Sequence, residues 1–159
     1  MGMRIRDARP EDVPAILQLI VESAESQGSR ESVCVDAAIL RREMFGPAPR
    51  AHALVADDEG RLVGLALYCF TFSTWTSVNG IHLEDLYVTA ERRRHGVARE
   101  LMGALEAVAS AHDCGRLQWF VLRSNAGAIR FYETVGARVA DDWRLMQLPH
   151  TPRAPHATS

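Results

Sequence analysis

The segment from residue 83 to residue 99 combines residue types that can bind an anion. The stretch Leu83-Glu84-Asp85-Leu86-Tyr87-Val88 leads through a short link into Arg93-Arg94-His95-Gly96-Val97-Ala98. A strand, a turn of small residues and a helix N-terminus together expose several backbone N–H groups, which suits a pyrophosphate. Gly96 and Ala98 let the backbone approach a ligand closely. Positive charge is added by Arg92, Arg93, Arg94 and Arg99.

Two well-known phosphate-binding motifs do not occur. A dinucleotide-binding loop requires Gly-x-Gly-x-x-Gly, and a Walker loop requires Gly-Lys followed by Ser or Thr. On spacing alone, the segment could equally be a strand-loop-helix corner whose arginines face water.

Hydrophobic periodicity predicts the elements that would position this segment. We expect helices at 10–24, at 37–44 after the capping residue Asp36, at 96–111, and from Ser124 or Asn125 to Val135. We expect strands at 3–8, 51–56, 62–72, 81–88, 116–122 and 137–148, the second and third joined by a turn at 57–60. The order β-α-α-β-β-β-α-β-α-β predicts an α/β fold of the α+β type, with a mixed, mostly antiparallel central sheet and helices on both faces.

Composition favours one globular domain, which we place at 1–148, followed by a flexible tail at 149–159. The chain has 159 residues, 47% of them hydrophobic and 24% charged, and a formal net charge of −2. This charge and the short arginine run, which no aromatic residue interrupts, argue against nucleic-acid binding. The six histidines show no ligand spacing, so we expect no metal.

The three cysteines, Cys34, Cys69 and Cys114, lie far apart and form no Cys-x-x-Cys pair. A reducing compartment explains them better than a disulfide framework. The N-terminus becomes charged at once, and no apolar run approaches the roughly 20 residues that cross a bilayer. We therefore expect a cytoplasmic protein that does not enter a membrane.

Several stretches together resemble the GNAT acetyltransferase superfamily, and more narrowly its diamine (spermidine/spermine and thialysine) branch. Arg93 to Ala98 is similar to the family's Arg/Gln-x-x-Gly-x-Gly/Ala pyrophosphate loop. Further similar stretches follow in the family's order: Phe45-Gly46-Pro47, Phe72-Ser73-Thr74-Trp75, Leu83 to Val88, Asn125, Phe131-Tyr132, Gly136-Ala137 and Trp143-Arg144-Leu145.

The resemblance implies acetyl-CoA as co-substrate and assigns residues to it. The backbone of Leu86, Tyr87 and Val88 would pair with the pantetheine arm at a bulge in the fourth strand, and one N–H would hold the thioester carbonyl. Amides of Arg94, His95, Gly96, Val97, Ala98 and Arg99 would hold the pyrophosphate. Asn125 and Ala128 would contact the pantetheine arm, although Asn125 could also simply cap its helix.

Two catalytic roles follow from the same resemblance. Tyr132 would protonate the departing thiolate, and Glu84 would accept the proton of an amine that is charged at neutral pH. Tyr132 could instead be a packed core residue and Glu84 a structural carboxylate bound to loop amides. Strand alternation places Asp85 on the face opposite Glu84.

The amine pocket departs from the family pattern. Gln27 stands where the family has an acid, although Glu25 is close. Asp141, Asp142 and Trp143 keep the second acidic region, in a shorter segment. Fewer acids favour a small amine or amino acid over a long polyamine, although acidic pairs on surface turns also occur without function.

The expected function is transfer of acetyl from acetyl-CoA to a primary amine of a small molecule, within a ternary complex. Two alternatives stay open: a protein lysine or N-terminal acetyltransferase, and a non-catalytic acyl-CoA-sensing module. The resemblance also implies a homodimer.

Overall fold

The computed structural model describes residues 2–151 and contains five strands and four α-helices in this range. The strands are β1 (Arg4–Asp7), β2 (His52–Asp58), β3 (Arg61–Ser73), β4 (Val78–Val88) and β5 (Arg116–Gln118). The helices are α1 (Val13–Ser26), α2 (Ala37–Phe45), α3 (Val97–Ala111) and α4 (Ala126–Thr134). The chain divides into two compact units, the first ending at Asn125 and the second beginning at Ala126.

The first unit contains one five-stranded sheet in the order β1-β2-β3-β4-β5. Neighbours are antiparallel except β4 and β5, which run parallel. The predicted mixed, mostly antiparallel sheet is therefore confirmed. The hairpin that joins β2 to β3 turns at Glu59 and Gly60, both with positive φ.

Helices cover both faces of this sheet. On one face, α1 and α2 pack on alternate residues of β2 and β3, forming a core that includes Val13, Ile16, Leu40, Met44, Val55, Leu65 and Leu67. On the other face, α3 approaches so closely that a Cβ added at Gly64 would lie 3.1 Å from Leu101 and 3.2 Å from Val97. The side chains of β3 therefore alternate between two helical layers.

Local signals explain where the first two helices begin. The Asp36 carboxylate accepts the Ile39 N–H at 2.8 Å and caps α2, as the sequence predicts. Residues 10–12 form a 3-10 turn before α1, whose α-helical part begins at Val13. There Asp12 accepts the Arg9 N–H at 2.7 Å and also pairs with Arg6, which joins it to Asp57 of β2.

Two strand predictions differ from the structure. β5 ends at Gln118 rather than at residue 122, and residues 137–148 form no strand. Alternating apolar residues do not by themselves form a strand, because the backbone N–H and C=O groups of a strand need hydrogen-bond partners on a neighbouring strand. Residues 141–142 form a turn inside the second segment, and Leu148 is 91% exposed. Residues 152–159 of the predicted tail lie outside the described residues.

Candidate active site

A β-bulge in β4 brings two carboxylates onto the same face of the sheet. Leu67 of β3 pairs with Asp85, whereas the next residue, Tyr68, pairs with Leu83, so Glu84 is the extra residue. Opposed residues point to the same side of a sheet, and Leu67 belongs to the core beneath α1 and α2. Asp85 therefore points to this face, and Glu84 joins it because the bulge interrupts alternation. The expectation that Asp85 lies on the opposite face is wrong for this reason.

The two carboxylates have different surroundings. The Glu84 side chain is 60% exposed. Burial, and secondarily the charge of Glu84, raises the pKa of Asp85 from 3.8 to about 6. Across the ladder on β3, the pKa of the Cys69 thiol is raised by burial and then by Glu84. The site thus holds one solvated carboxylate beside one that can bind a proton near neutral pH.

On one edge of β4, the ladder to the neighbouring strand ends next to this bulge. In the described part of the chain, β5 pairs with β4 along three residue pairs, Gly80 to His82 with Arg116 to Gln118. On the other edge, β3 pairs with Leu86, Tyr87 and Val88. The backbone from Leu83 to Val88 therefore pairs with β3 on one edge. On the other edge, no strand in the described part of the chain pairs with it, and an extended ligand can hydrogen-bond there.

The end of this strand leads into the basic loop and the N-terminus of α3. Gly96 is the N-cap residue, with φ of 81°, and no side chain caps the first turn of the helix. Arg94 also has a positive φ, 64°. Two left-handed residues so close together turn successive backbone N–H groups toward the helix start, an arrangement that binds anions.

The arginines of the loop have distinct partners. Arg92 forms an ion pair with Asp58 at the β2–β3 turn. Arg93 donates to the Val88 carbonyl at 3.1 Å and lies over the Tyr87 ring at 5.5 Å. The Nδ1 atom of His95 lies 2.8 Å from the Arg93 carbonyl oxygen. These contacts fix the loop against the end of β4, while Arg94 and Arg99 remain on exposed positions.

The first residue predicted for the acceptor site lies at the end of α1. Gln27 is the C-cap residue, is exposed, and donates from its amide to the Ser23 carbonyl at 3.4 Å. The nearby Glu25 forms an ion pair with Arg30 at 3.6 Å. Asn125 directly precedes α4, and its N–H donates to the Leu122 carbonyl at 2.9 Å.

The remaining predicted site residues belong to the second unit. Ala128 and Tyr132 lie on α4, where the Tyr132 ring contacts Phe131 and burial raises the pKa of its phenol. Asp141 and Asp142 form an exposed turn, followed by Trp143, whose exposed fraction is 69%. Their roles remain predictions.

Two further properties of the described residues concern membranes and metal ions. None of the helices within residues 2–151 combines the length and apolarity that a membrane span requires. Nor do histidine, cysteine and acidic side chains gather in this range into a group of three or more that could bind a metal ion.

Comparison with known proteins identifies this architecture. Residues 14–137 match the model of the acetyltransferase (GNAT) family. The pig protein thialysine N-epsilon-acetyltransferase is 37% identical over 142 residues, covering 84% of this chain and 83% of its own. Human spermidine/spermine N(1)-acetyltransferase-like protein 1 is 34% identical over 84% of this chain and 20% of its own length. A crystal structure of a probable acetyltransferase superposes with a TM-score of 0.79 at 26% identity, covering 94% of this chain and 99% of the other.

The chain therefore belongs to the GNAT family of acetyltransferases. Its relatives match the diamine acetyltransferase branch of this family. The family uses acetyl-CoA as co-substrate. The residues present fit this molecule, because β4 has an edge open to an extended arm and the uncapped start of α3 can accept a phosphate group.

Proposed function

We propose that the protein transfers the acetyl group of acetyl-CoA to a primary amine of a small molecule. The observation that carries this proposal is the bulge at Glu84, which places two carboxylates beside the open edge of β4. An alkylammonium ion is attracted to carboxylates, and it must lose a proton before its nitrogen can attack a thioester.

Each residue then has a defined task. Glu84 accepts a proton from the bound ammonium, directly or through one water, while Asp85 helps to hold the cation. Backbone N–H groups around Leu86 and Val88 stabilise the negative charge that develops on the carbonyl oxygen. Tyr132 donates its phenolic proton to the departing thiolate. Acetyl-CoA supplies the activated acyl group, and the loop from Arg93 to Arg99, with Asn125 and Ala128, holds it.

The acceptor is a diamine, a short polyamine or an amino acid with a side-chain amine. The proteins named for thialysine and for spermidine/spermine support this class. Gln27 is neutral and is held to its own helix, so the α1 end contributes no negative charge through this residue. Asp141, Asp142 and Trp143 would supply the second anchor. We therefore expect smaller amines to react faster than spermine.

The two alternative functions, a protein acetyltransferase and a non-catalytic sensor, require different ligands and residues. A protein lysine or N-terminal acetyltransferase would need a peptide rather than a free amine. A non-catalytic acyl-CoA sensor would bind acetyl-CoA without needing Glu84 or Tyr132.

The decisive experiment measures CoA thiol release from acetyl-CoA with a panel of diamines, spermidine, spermine, thialysine, lysine, ornithine and short peptides. Glu84→Gln and Tyr132→Phe should lose most of the rate. Glu106→Gln, at an exposed position of α3, is the matched carboxylate control and should retain it. Turnover with peptides alone would favour the protein substrate, and binding of acetyl-CoA without any turnover would favour the sensor.

We also propose a homodimer in the cytoplasm. Phe120 and Leu122 follow β5 with exposed fractions of 68% and 55%, an apolar patch that a second copy would cover. Replacing Leu122 with Glu should shift the sedimentation coefficient to that of a monomer, and a wild type that sediments as a monomer at high concentration contradicts the dimer. The free thiols of Cys34, Cys69 and Cys114 support the location, which cell fractionation can test.

A further inference from the structure

His82 makes a direct contact with the carboxylate proposed to take the proton. Its Nε2 atom lies 3.2 Å from Oε2 of Glu84, within hydrogen-bond distance. The His82 side chain is 19% exposed, against 60% for Glu84. The imidazole is therefore the more shielded member of the pair, and the carboxylate is the member that reaches toward solvent.

The fold holds His82 firmly at this place. Its backbone pairs with Cys69 of β3 on one edge and with Gln118 of β5 on the other, at the last pair before β5 leaves the sheet. Its ring contacts the ring of Phe120, with centroids 5.2 Å apart. A side chain fixed on a doubly paired strand can orient a neighbouring group with little loss of entropy.

Proton affinities give this contact a chemical use. In water, a carboxyl group ionises near 4.3, an imidazolium near 6.5 and an alkylammonium near 10.4. A carboxylate that has taken a proton from an amine therefore holds it weakly, and the proton readily returns to the amine. An imidazole is in general a stronger base than a carboxylate, so an imidazole next to it can take the proton on and make its return to the amine less favourable.

We propose that His82 is a positioning residue that acts through Glu84: from this carboxylate it accepts the proton removed from the amine, an inference that rests on the proposed function. An N–H bond of the ammonium breaks as an O–H bond forms on Glu84. That O–H bond then breaks as an N–H bond forms at Nε2 of His82. The carboxylate is regenerated, and the imidazolium releases the proton to solvent after the acetyl group has moved.

Three variants of His82 separate this role from a structural one. His82→Gln keeps a group that can donate to Glu84 but cannot accept a proton at neutral pH, and His82→Ala leaves space for a free imidazole. We expect kcat to fall about 10- to 100-fold in both, with little change in KM for the amine. Added imidazole should restore part of the rate of His82→Ala, and His82→Phe, which leaves no such space, should show no rescue. The matched control His52→Gln, on β2, should behave as wild type.

A double-mutant cycle completes the test. In the Glu84→Gln background, His82→Gln should cost less than 2-fold, because the proton no longer passes through the carboxylate. Near-wild-type kcat in His82→Gln, or an equal loss in both backgrounds, overturns the relay. Acetyl-CoA affinity measured by calorimetry confirms that each variant is folded. If the wild type itself acetylates no amine, the proposed function fails; if the wild type is active and the cycle is additive, only the role of His82 fails.

Discussion

The buried carboxylate of Asp85 leads to a stability prediction of definite sign. Its pKa rises from 3.8 to about 6, first through burial and then through the charge of Glu84. A group with a higher pKa in the folded than in the unfolded state binds more protons when folded, so the free energy of unfolding falls as pH rises between the two values. Above pH 6 the folded protein therefore carries a charge that the unfolded chain carries more easily.

Replacing Asp85 with Asn removes this charge and keeps the shape of the side chain. The difference between 3.8 and about 6 corresponds to about 3 kcal/mol. Relaxation around the charge in the wild type reduces the gain, so we expect the variant to be more stable by about 1–3 kcal/mol at pH 7.5. At pH 5 the folded wild type is largely protonated at Asp85, and the gain should be roughly half as large.

Urea denaturation with linear extrapolation at pH 7.5 and pH 5 measures both values. Glu106→Gln serves as the exposed control and should change the free energy of unfolding by less than about 0.5 kcal/mol at either pH. A variant that is no more stable than the wild type at pH 7.5, or a gain that does not shrink at pH 5, refutes the reasoning. The same variant should acetylate amines more slowly, since it lacks the second negative charge of the site.

Four further substitutions, one of them a control, test other parts of the molecule. Tyr132→Phe should lower kcat about 100-fold while leaving acetyl-CoA affinity unchanged in calorimetry, and full turnover would remove Tyr132 as the acid. Gly96→Ala places a side chain at a φ of 81° and should cost about 1 kcal/mol in urea denaturation and weaken acetyl-CoA binding. Gly103→Ala, within α3, should instead raise the free energy of unfolding by up to about 1 kcal/mol. If both glycine substitutions change this free energy equally, the positive φ of Gly96 does not explain the effect. Arg6→Leu removes the guanidinium that Asp12 and Asp57 share, although Asp57 keeps Arg4 at 3.5 Å, and should cost about 3 kcal/mol at pH 7. Because Arg6 lowers the pKa of both carboxylates below 3.8, their stabilising effect is lost on acidification, and the difference from wild type should narrow as pH falls below that value.

The parts of the fold that the sequence predicts well are those decided by neighbouring residues. The apolar spacing of α1 and α3, the Asp36 cap and the turn at Gly60 each depend on a few consecutive side chains. The packing of helices on both faces also follows, because β3, the middle strand of the sheet, is apolar along most of its length.

The parts that it predicts poorly depend on partners far away in the chain. Nothing near Asp85 distinguishes a regular strand from a bulged one, because the register shift is defined by Leu67 and Tyr68 on β3. The length of β5 likewise depends on how far it stays paired with β4, a strand that is distant in the sequence.

The bulge, the open edge and the loop are connected features of one strand. The extra residue at Glu84 increases the local twist of β4, and this is also where the ladder with β5 ends. From there the backbone rises about 3.3 Å per residue toward the turn before α3, so about 13 Å separates Glu84 from Val88. A ligand extended along this edge would reach the carboxylates at one end and the α3 N-terminus at the other. The energetic cost of ionised Asp85 lies at the same point, which indicates that this strand is shaped for chemistry at the expense of stability.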